Sequence, residues 1–231
     1  MDPNYAGFLF VCFALLSLSG YLFSGKLLNL ILFLIFSVSL ILTFSRSSYI
    51  AFLIGLIIIG VLKSPKIIIY ATVVSLLVFL TIPKAKVRIV GALTFDETSQ
   101  ARIESWRNAI LVFKSSPVFG VGFNNYRFAQ YRLGLFDSDA GLKVHSSGGS
   151  DSSLLFVAAT TGIVGLLAYC FFLMVIILNL LKNARSSAVK LASASSFIAL
   201  LVHSQFVNSL FFPPIMIVYF FMLGLSFVHD S

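Results

Sequence analysis

Long apolar runs separated by short polar turns dominate the chain, and a single long polar interval interrupts them. Crossing about 30 Å of hydrocarbon takes about 20 residues of helix. Runs of roughly that length recur at Tyr5–Phe23, Leu27–Phe44, Tyr49–Leu62, Ile67–Ile82, Leu154–Leu181, Leu191–Phe211 and Pro214–Val228. The third and fourth are short, so they fit by tilting little, thinning the bilayer or borrowing flanking residues. The fifth is long enough to project beyond the bilayer. The pattern predicts an all-α protein: a polytopic transmembrane helical bundle with a large extracytoplasmic loop that contains short helices. Four spans fall in 1–82, the loop in 83–153 and three spans in 154–231.

Inside the loop, Thr98 or Ser99 can cap a helix running to about Lys114, which Ser115-Ser116-Pro117 ends. Arg102, Trp106, Ala109, Ile110 and Phe113 recur at three-to-four spacing and form one stripe, with Glu104 and Arg107 off it. Arg102 is therefore expected on the apolar face. Gly120-Val121-Gly122 predicts a flexible turn, and Asn124–Tyr131 is aromatic and basic. Ser146-Ser147-Gly148-Gly149-Ser150 leads into the fifth span, with Asp151 expected at its N-cap.

Composition removes the soluble alternative. Of 231 residues 59% are hydrophobic and 10% charged, and the mean hydropathy is +1.02, whereas soluble domains carry about 25% charged residues. The net charge of +8 points to orientation and anionic lipid, not nucleic acid. The connections holding Lys26, Lys63, Lys66, Lys182, Arg185 and Lys190 contain no acidic residue, which assigns them to the cytoplasm and the long loop to the opposite side. Asp2 stands where a signal peptide would carry positive charge, so the first run reads as a retained helix. Cys12 and Cys170 lie in apolar runs and read as small hydrophobes.

Six residues could carry chemistry. Arg46, between two spans, is either an anchor that snorkels to headgroups or a guanidinium fork holding phosphate. Arg102 requires an anionic partner, either a carboxylate or a second phosphate. Trp106 beside it is interfacial packing or a stacking platform for sugar. His145 and Asp151 flank the glycine-rich stretch, and each could act as a general base; each also has a plain reading, as a loop histidine and a helix cap. The stretch between them could bind an anion through backbone N–H groups, unless a carboxylate cap occupies the same amides. His203, with Gln205 and Asn208, is polar within the sixth run and is a site residue or an interhelical hydrogen bond. Asp137-Ser138-Asp139 has the spacing of a cation-binding Asp-x-Asp but reads better as a solvated loop. Walker A, HExxH, paired CxxC and GxSxG patterns do not occur.

In order along nearly the whole sequence, several motifs resemble the carboxy-terminal half of the O-antigen ligase and polymerase family of bacterial membrane glycosyltransferases. They are Asp2-Pro3-Asn4, Ser45-Arg46-Ser47-Ser48-Tyr49, Arg102 with Trp106, Ser116-Pro117-Val118-Phe119-Gly120-Val121-Gly122, Asp151-Ser152-Ser153-Leu154-Leu155 and Thr161-Gly162-Ile163-Val164-Gly165. Members of the family usually have further spans before the Asp-Pro-Asn motif, so the resemblance implies a piece of a longer protein. Ligases of the family usually carry His-Asn where this chain has Asp151-Ser152, which tilts the comparison toward polymerase-like members and leaves the base as His145 or Asp151. The resemblance implies a glycosyltransferase of the bacterial inner membrane, acting at its outer face without metal or other cofactor. Its partners would be a polyprenyl-diphosphate-linked glycan donor, a glycan or lipid acceptor and membrane lipid. Arg46 and Arg102 would hold the diphosphate. The alternatives are a ligase joining glycan to lipid A or protein, and a glycolipid transport or assembly component with no chemistry.

Overall fold

The computed structural model describes residues 2–70, 96–135 and 149–228, with isolated positions between 71 and 95. Regular structure among the described residues is helical: α1 (Pro3–Ser24), α2 (Leu27–Leu42), α3 (Arg46–Leu62), α4 (Glu97–Ser115), α5 (Tyr126–Arg132), α6 (Ser153–Lys182), α7 (Ala188–His203) and α8 (Pro213–Val228). Single 3-10 turns lie at Phe123–Asn125 and Ser209–Phe211. Residues 66–70 start a further helix. The rest of the predicted fourth span, and residues 136–148 with His145 and both aspartates of Asp137-Ser138-Asp139, lie outside the described residues.

The chain forms two compact units. The first comprises Met1–Thr94, Ile176–His203 and Ser209–Ser231. Its α1 packs against α2, α3 and α7, while α7 also packs against α3 and α8. Asp2 caps α1 by accepting from the Asn4 N–H at 2.7 Å, Pro3 follows in the first turn, and Gly25 closes the helix in the left-handed region. The α1–α3 contact is close because Gly7 has no side chain: a Cβ there would come within 2.5 Å of Ser48 Oγ. Between α2 and α3 the chain turns through Phe44 at φ +53°, a conformation that costs a bulky residue on the order of 1–3 kcal/mol and is held by its surroundings.

The second unit comprises Phe95–Val175 and Ser204–Asn208. Its core joins Tyr126, Ala129, Ala109, Val112 and the buried Phe156–Ala159 stretch of α6. Phe156 stands edge-on to Tyr126 and Phe123, with ring centroids 5.3 and 5.1 Å apart. α6 is broken at Gly162, where φ is +67° and ψ −168°. The carbonyls of Ala159 and Thr160 accept from the N–H groups of Val121 and Gly122. In turn the N–H groups of Ile163 and Val164 donate to the carbonyls of Pro117 and Val118, so all four backbone groups are paired by the same turn. A Cβ on Gly120 or Gly162 would lie 2.2–2.5 Å from backbone atoms across this contact.

Several expectations change. α3 begins at Arg46 with Ser45 as its cap, so Arg46 sits in the first helical turn instead of a loop between spans. Asp96, not Thr98 or Ser99, caps α4 by accepting from the Ser99 N–H. On α4 the buried face carries Val112, whereas Ile110 is exposed, because the contacts of this helix follow Arg102, Ser105, Trp106, Ala109 and Val112. The Gly120–Gly122 turn is fixed by its bonds to α6 and does not hang free. The sixth run stops being helical at His203, so Gln205 and Asn208 lie in irregular chain.

α1 and α6 are long and apolar enough to cross a membrane; α2, α3, α7 and α8 are shorter apolar helices. Large apolar side chains such as Leu27, Leu34, Val61, Leu167, Phe171 and Ile217 face outward, a surface that suits lipid and not water.

Candidate functional site

Two polar clusters stand in this apolar framework, one in each unit. In the first unit His203, wholly buried at the end of α7, has Nδ1 2.6 Å from Ser209 Oγ and Nε2 3.3 Å from Ser48 Oγ. Ser48 Oγ also lies 2.9 Å from Ser45 Oγ and donates to the Asn4 carbonyl at 3.1 Å. Ser45 and Ser47 hydroxyls both donate to Asn4 Oδ1, at 2.8 and 3.2 Å. The Phe8 ring covers the imidazole, with centroids 4.8 Å apart. The Asp-Pro-Asn and Ser-Arg-Ser-Ser motifs thus form one buried network, and His203 occupies it through interhelical hydrogen bonds. Arg46, flanked by two buried serines, is half-buried at the N-terminus of α3. A cation there opposes the helix dipole, at a cost of about 0.3–1 kcal/mol, which an anion at the same helix end would reverse.

In the second unit one face of α4 meets the start of α6. The Asp151 N–H donates to Ser105 Oγ at 3.0 Å. Ser152, not Asp151, caps α6: its Oγ accepts from the Leu155 N–H at 3.3 Å, which relieves the Asp151 carboxylate of capping. The 204–208 segment fixes the next residues. Ser153 N–H donates to the Ser204 carbonyl at 2.8 Å, Ser153 Oγ to Asn208 Oδ1 at 2.9 Å and Ser152 Oγ to Gln205 Oε1 at 3.3 Å. Phe206 receives Trp106 at 6.0 Å between centroids and the Arg102 guanidinium carbon at 5.9 Å from its ring. Arg102, Ser105 and Trp106 share one helical face by their three-to-four spacing.

The buried Trp106 Nε1 and Tyr126 Oη of this unit have no hydrogen-bond partner among the described residues. Burial pushes the Tyr126 phenol well above its ordinary value and the charge of Asp151 pushes the same way. The Ser150 hydroxyl offsets part of this but stops short of hydrogen-bond geometry with the buried Oη. Sequence reasoning passed over Ser105, Tyr126 and the structural role of Asn4. Ser105 was visible as the i+3 neighbour of Arg102, and Asn4 as the polar residue of its motif; nothing in an aromatic stretch singles out Tyr126.

Fold and clusters together describe an apolar helical protein whose polar side chains gather at helix ends. A family model described as O-antigen ligase matches residues 30–170, and the chain belongs to that family. The family has glycosyltransferase-like members of ligase and polymerase type and is associated with membranes, glycans and lipopolysaccharide, so the apolar helices are those of a membrane protein. The match takes in Arg46, Arg102, Trp106 and Asp151, whereas Asn4 and His203 fall outside it. A search of curated proteins finds no match.

Proposed function

We propose that the chain is a surface-polysaccharide polymerase-like glycosyltransferase, acting on polyprenyl-diphosphate-linked glycans at the outer face of the inner membrane. The observation that carries the reading is the α4–α6 corner, where the Arg102, Ser105 and Trp106 face meets Asp151. An acceptor sugar hydroxyl attacks the anomeric carbon of the donor glycan. Its proton passes to Asp151 or His145. The anomeric C–O bond breaks, and its electron pair departs on the diphosphate oxygen. Guanidinium groups at Arg102 and Arg46 hold the diphosphate and offset the growing charge, the largest kind of contribution open to such a site. Trp106, on the same face of α4 as Arg102, offers a sugar its ring. His203 is a positioning residue, acting through the serine network around the start of α3.

Replacing the chromosomal gene in its own host tests this. Arg102→Ala and Arg46→Ala are expected to abolish long glycan while the protein still inserts; wild-type glycan ladders from both would overturn the mechanism. The ligase description of the matching family favours one second reading, transfer of finished glycan to lipid A or protein. On that reading the same variants leave long glycan on its lipid carrier and remove it from the acceptor. A transport component is distinguished by Asp151→Asn and His145→Ala, which would then leave glycan length unchanged.

A further inference from the structure

The surface of α6 changes character at the Gly162 break. Residues 156–160 are buried within the second unit. Beyond the break Ile163, Val164, Leu167, Phe171 and Phe172 are exposed. The segment 163–182 is apolar until Lys182, and its length matches the roughly 20 residues that cross the hydrocarbon. Gly162 therefore marks where α6 begins to turn an apolar surface outward, although Leu173 and Leu180 farther along remain buried. At this level the Pro117–Gly122 turn is bonded to the helix on both sides of the break, and Val118 and Phe119 project from it 49% and 76% exposed. Phe119 is the most exposed large apolar side chain among the described residues. Phe123 and Phe128 are exposed nearby in the chain, with Lys114, Arg127 and Arg132 as basic flanks.

We propose that the Pro117–Gly122 turn is a membrane wedge: Val118 and Phe119 enter the acyl chains of the bilayer beside Gly162, with the basic flanks at the anionic headgroups. The exposed patch continues the lipid-facing surface of α6, because the Val118 carbonyl accepts from the Val164 N–H. The four bonds across the break pair the Pro117 and Val118 carbonyls and the Val121 and Gly122 N–H groups; the remaining backbone groups of the turn need water, so its backbone stays at headgroup depth while the side chains of Val118 and Phe119 reach inward. An aromatic ring at the interface together with basic flanks is the pattern that holds a segment at headgroup depth. The wedge also sets a height. Asp151 precedes Gly162 by about three helical turns, which places it on the order of 16 Å along the helix axis from the break. The wedge rests on the membrane assignment alone and does not depend on the reaction.

Depth-dependent quenching tests it. In a background with Cys12→Ala and Cys170→Ala, the full chain carries Phe119→Cys, Val164→Cys or Arg107→Cys, each labelled with a small environment-sensitive fluorophore. The labelled proteins are placed in nanodiscs of phosphatidylethanolamine and phosphatidylglycerol. The expected result is that acyl-chain spin labels quench the Phe119→Cys and Val164→Cys probes to similar extents, several-fold more than Arg107→Cys, while aqueous iodide quenches only Arg107→Cys. Iodide quenching at Phe119→Cys, or protection there from both quenchers, would overturn the wedge. Loss of lipid quenching at Val164→Cys would overturn it as well, by removing α6 from the bilayer. None of these outcomes bears on glycan transfer, so the wedge and the proposed reaction fail separately.

Discussion

The two polar clusters differ in how completely they satisfy themselves. Around His203 a chain of contacts at hydrogen-bond distance links the two imidazole nitrogens, four serine hydroxyls and the Asn4 carbonyls, among α1, α3 and α7. Around Asp151 the backbone is pinned just as firmly, yet Trp106 Nε1 and Tyr126 Oη are buried without partners among the described residues. A buried polar group left unpaired costs about 1–3 kcal/mol, and native proteins retain few of them. The first cluster is built to hold a shape. The second keeps the Trp106 and Tyr126 donors unpaired among the described residues, while its backbone bonds hold the start of α6 against α4.

Among the changes that set the two clusters apart, the largest expected effect falls on Asp151. Asp151→Asn keeps the backbone bond to Ser105 and removes the carboxylate base, so glycan transfer should drop by about 10²–10⁴-fold. Full activity in Asp151→Asn together with loss in His145→Ala would assign the base to His145.

His203→Leu should instead cost about 1–3 kcal/mol of stability by stranding a buried serine hydroxyl. Thermal unfolding in detergent would show it. His203→Gln, able to hydrogen-bond both serines, should recover part of the loss and restore activity alongside stability. Wild-type stability in His203→Leu would remove the shape-holding role. Gly7→Ala attacks the same network without touching the histidine: its Cβ meets Ser48, and overpacking of this kind costs about 1–3 kcal/mol.

The smallest effect is expected from Tyr126→Phe. Removing an unpaired buried hydroxyl should leave neutral-pH stability unchanged or slightly higher. The pH dependence has a definite sign. The folded phenol holds its proton to higher pH than an unfolded one, so stability is intact below the ordinary tyrosine value near 10 and declines as pH rises above it. Tyr126→Phe should lessen that alkaline decline, and a pH series of unfolding midpoints would check it.

Much of the two polar clusters was legible in sequence because their residues are polar exceptions in apolar surroundings. Arg46, Arg102 and His203 stand out for that reason, and the stripe on α4 predicted Arg102 and Trp106 on one face. Capping was less legible. Ser45, Asp96 and Ser152 fill cap positions where each helix start offered several candidates, and the choice depends on which residue the incoming chain leaves extended. Asp151 looked like a cap for that reason until Ser105 took its N–H and Ser152 moved into the cap.

Sequence alone was sufficient for whatever depends on the solvent each segment must meet: the apolar helices, the polar interval among them, the excluded soluble fold and the family motifs in order. Hydrophobicity and helical period are local properties, and a chain carries them without reference to its partners. Only the tertiary structure decided that Asn4, Ser48, His203 and Ser209 share one network, that Ser105 holds Asp151, and that the Gly120 turn closes the break at Gly162. These pairings join residues far apart in sequence. Each is fixed by a requirement that composition cannot express, that every buried donor and acceptor find a particular partner within about 3 Å.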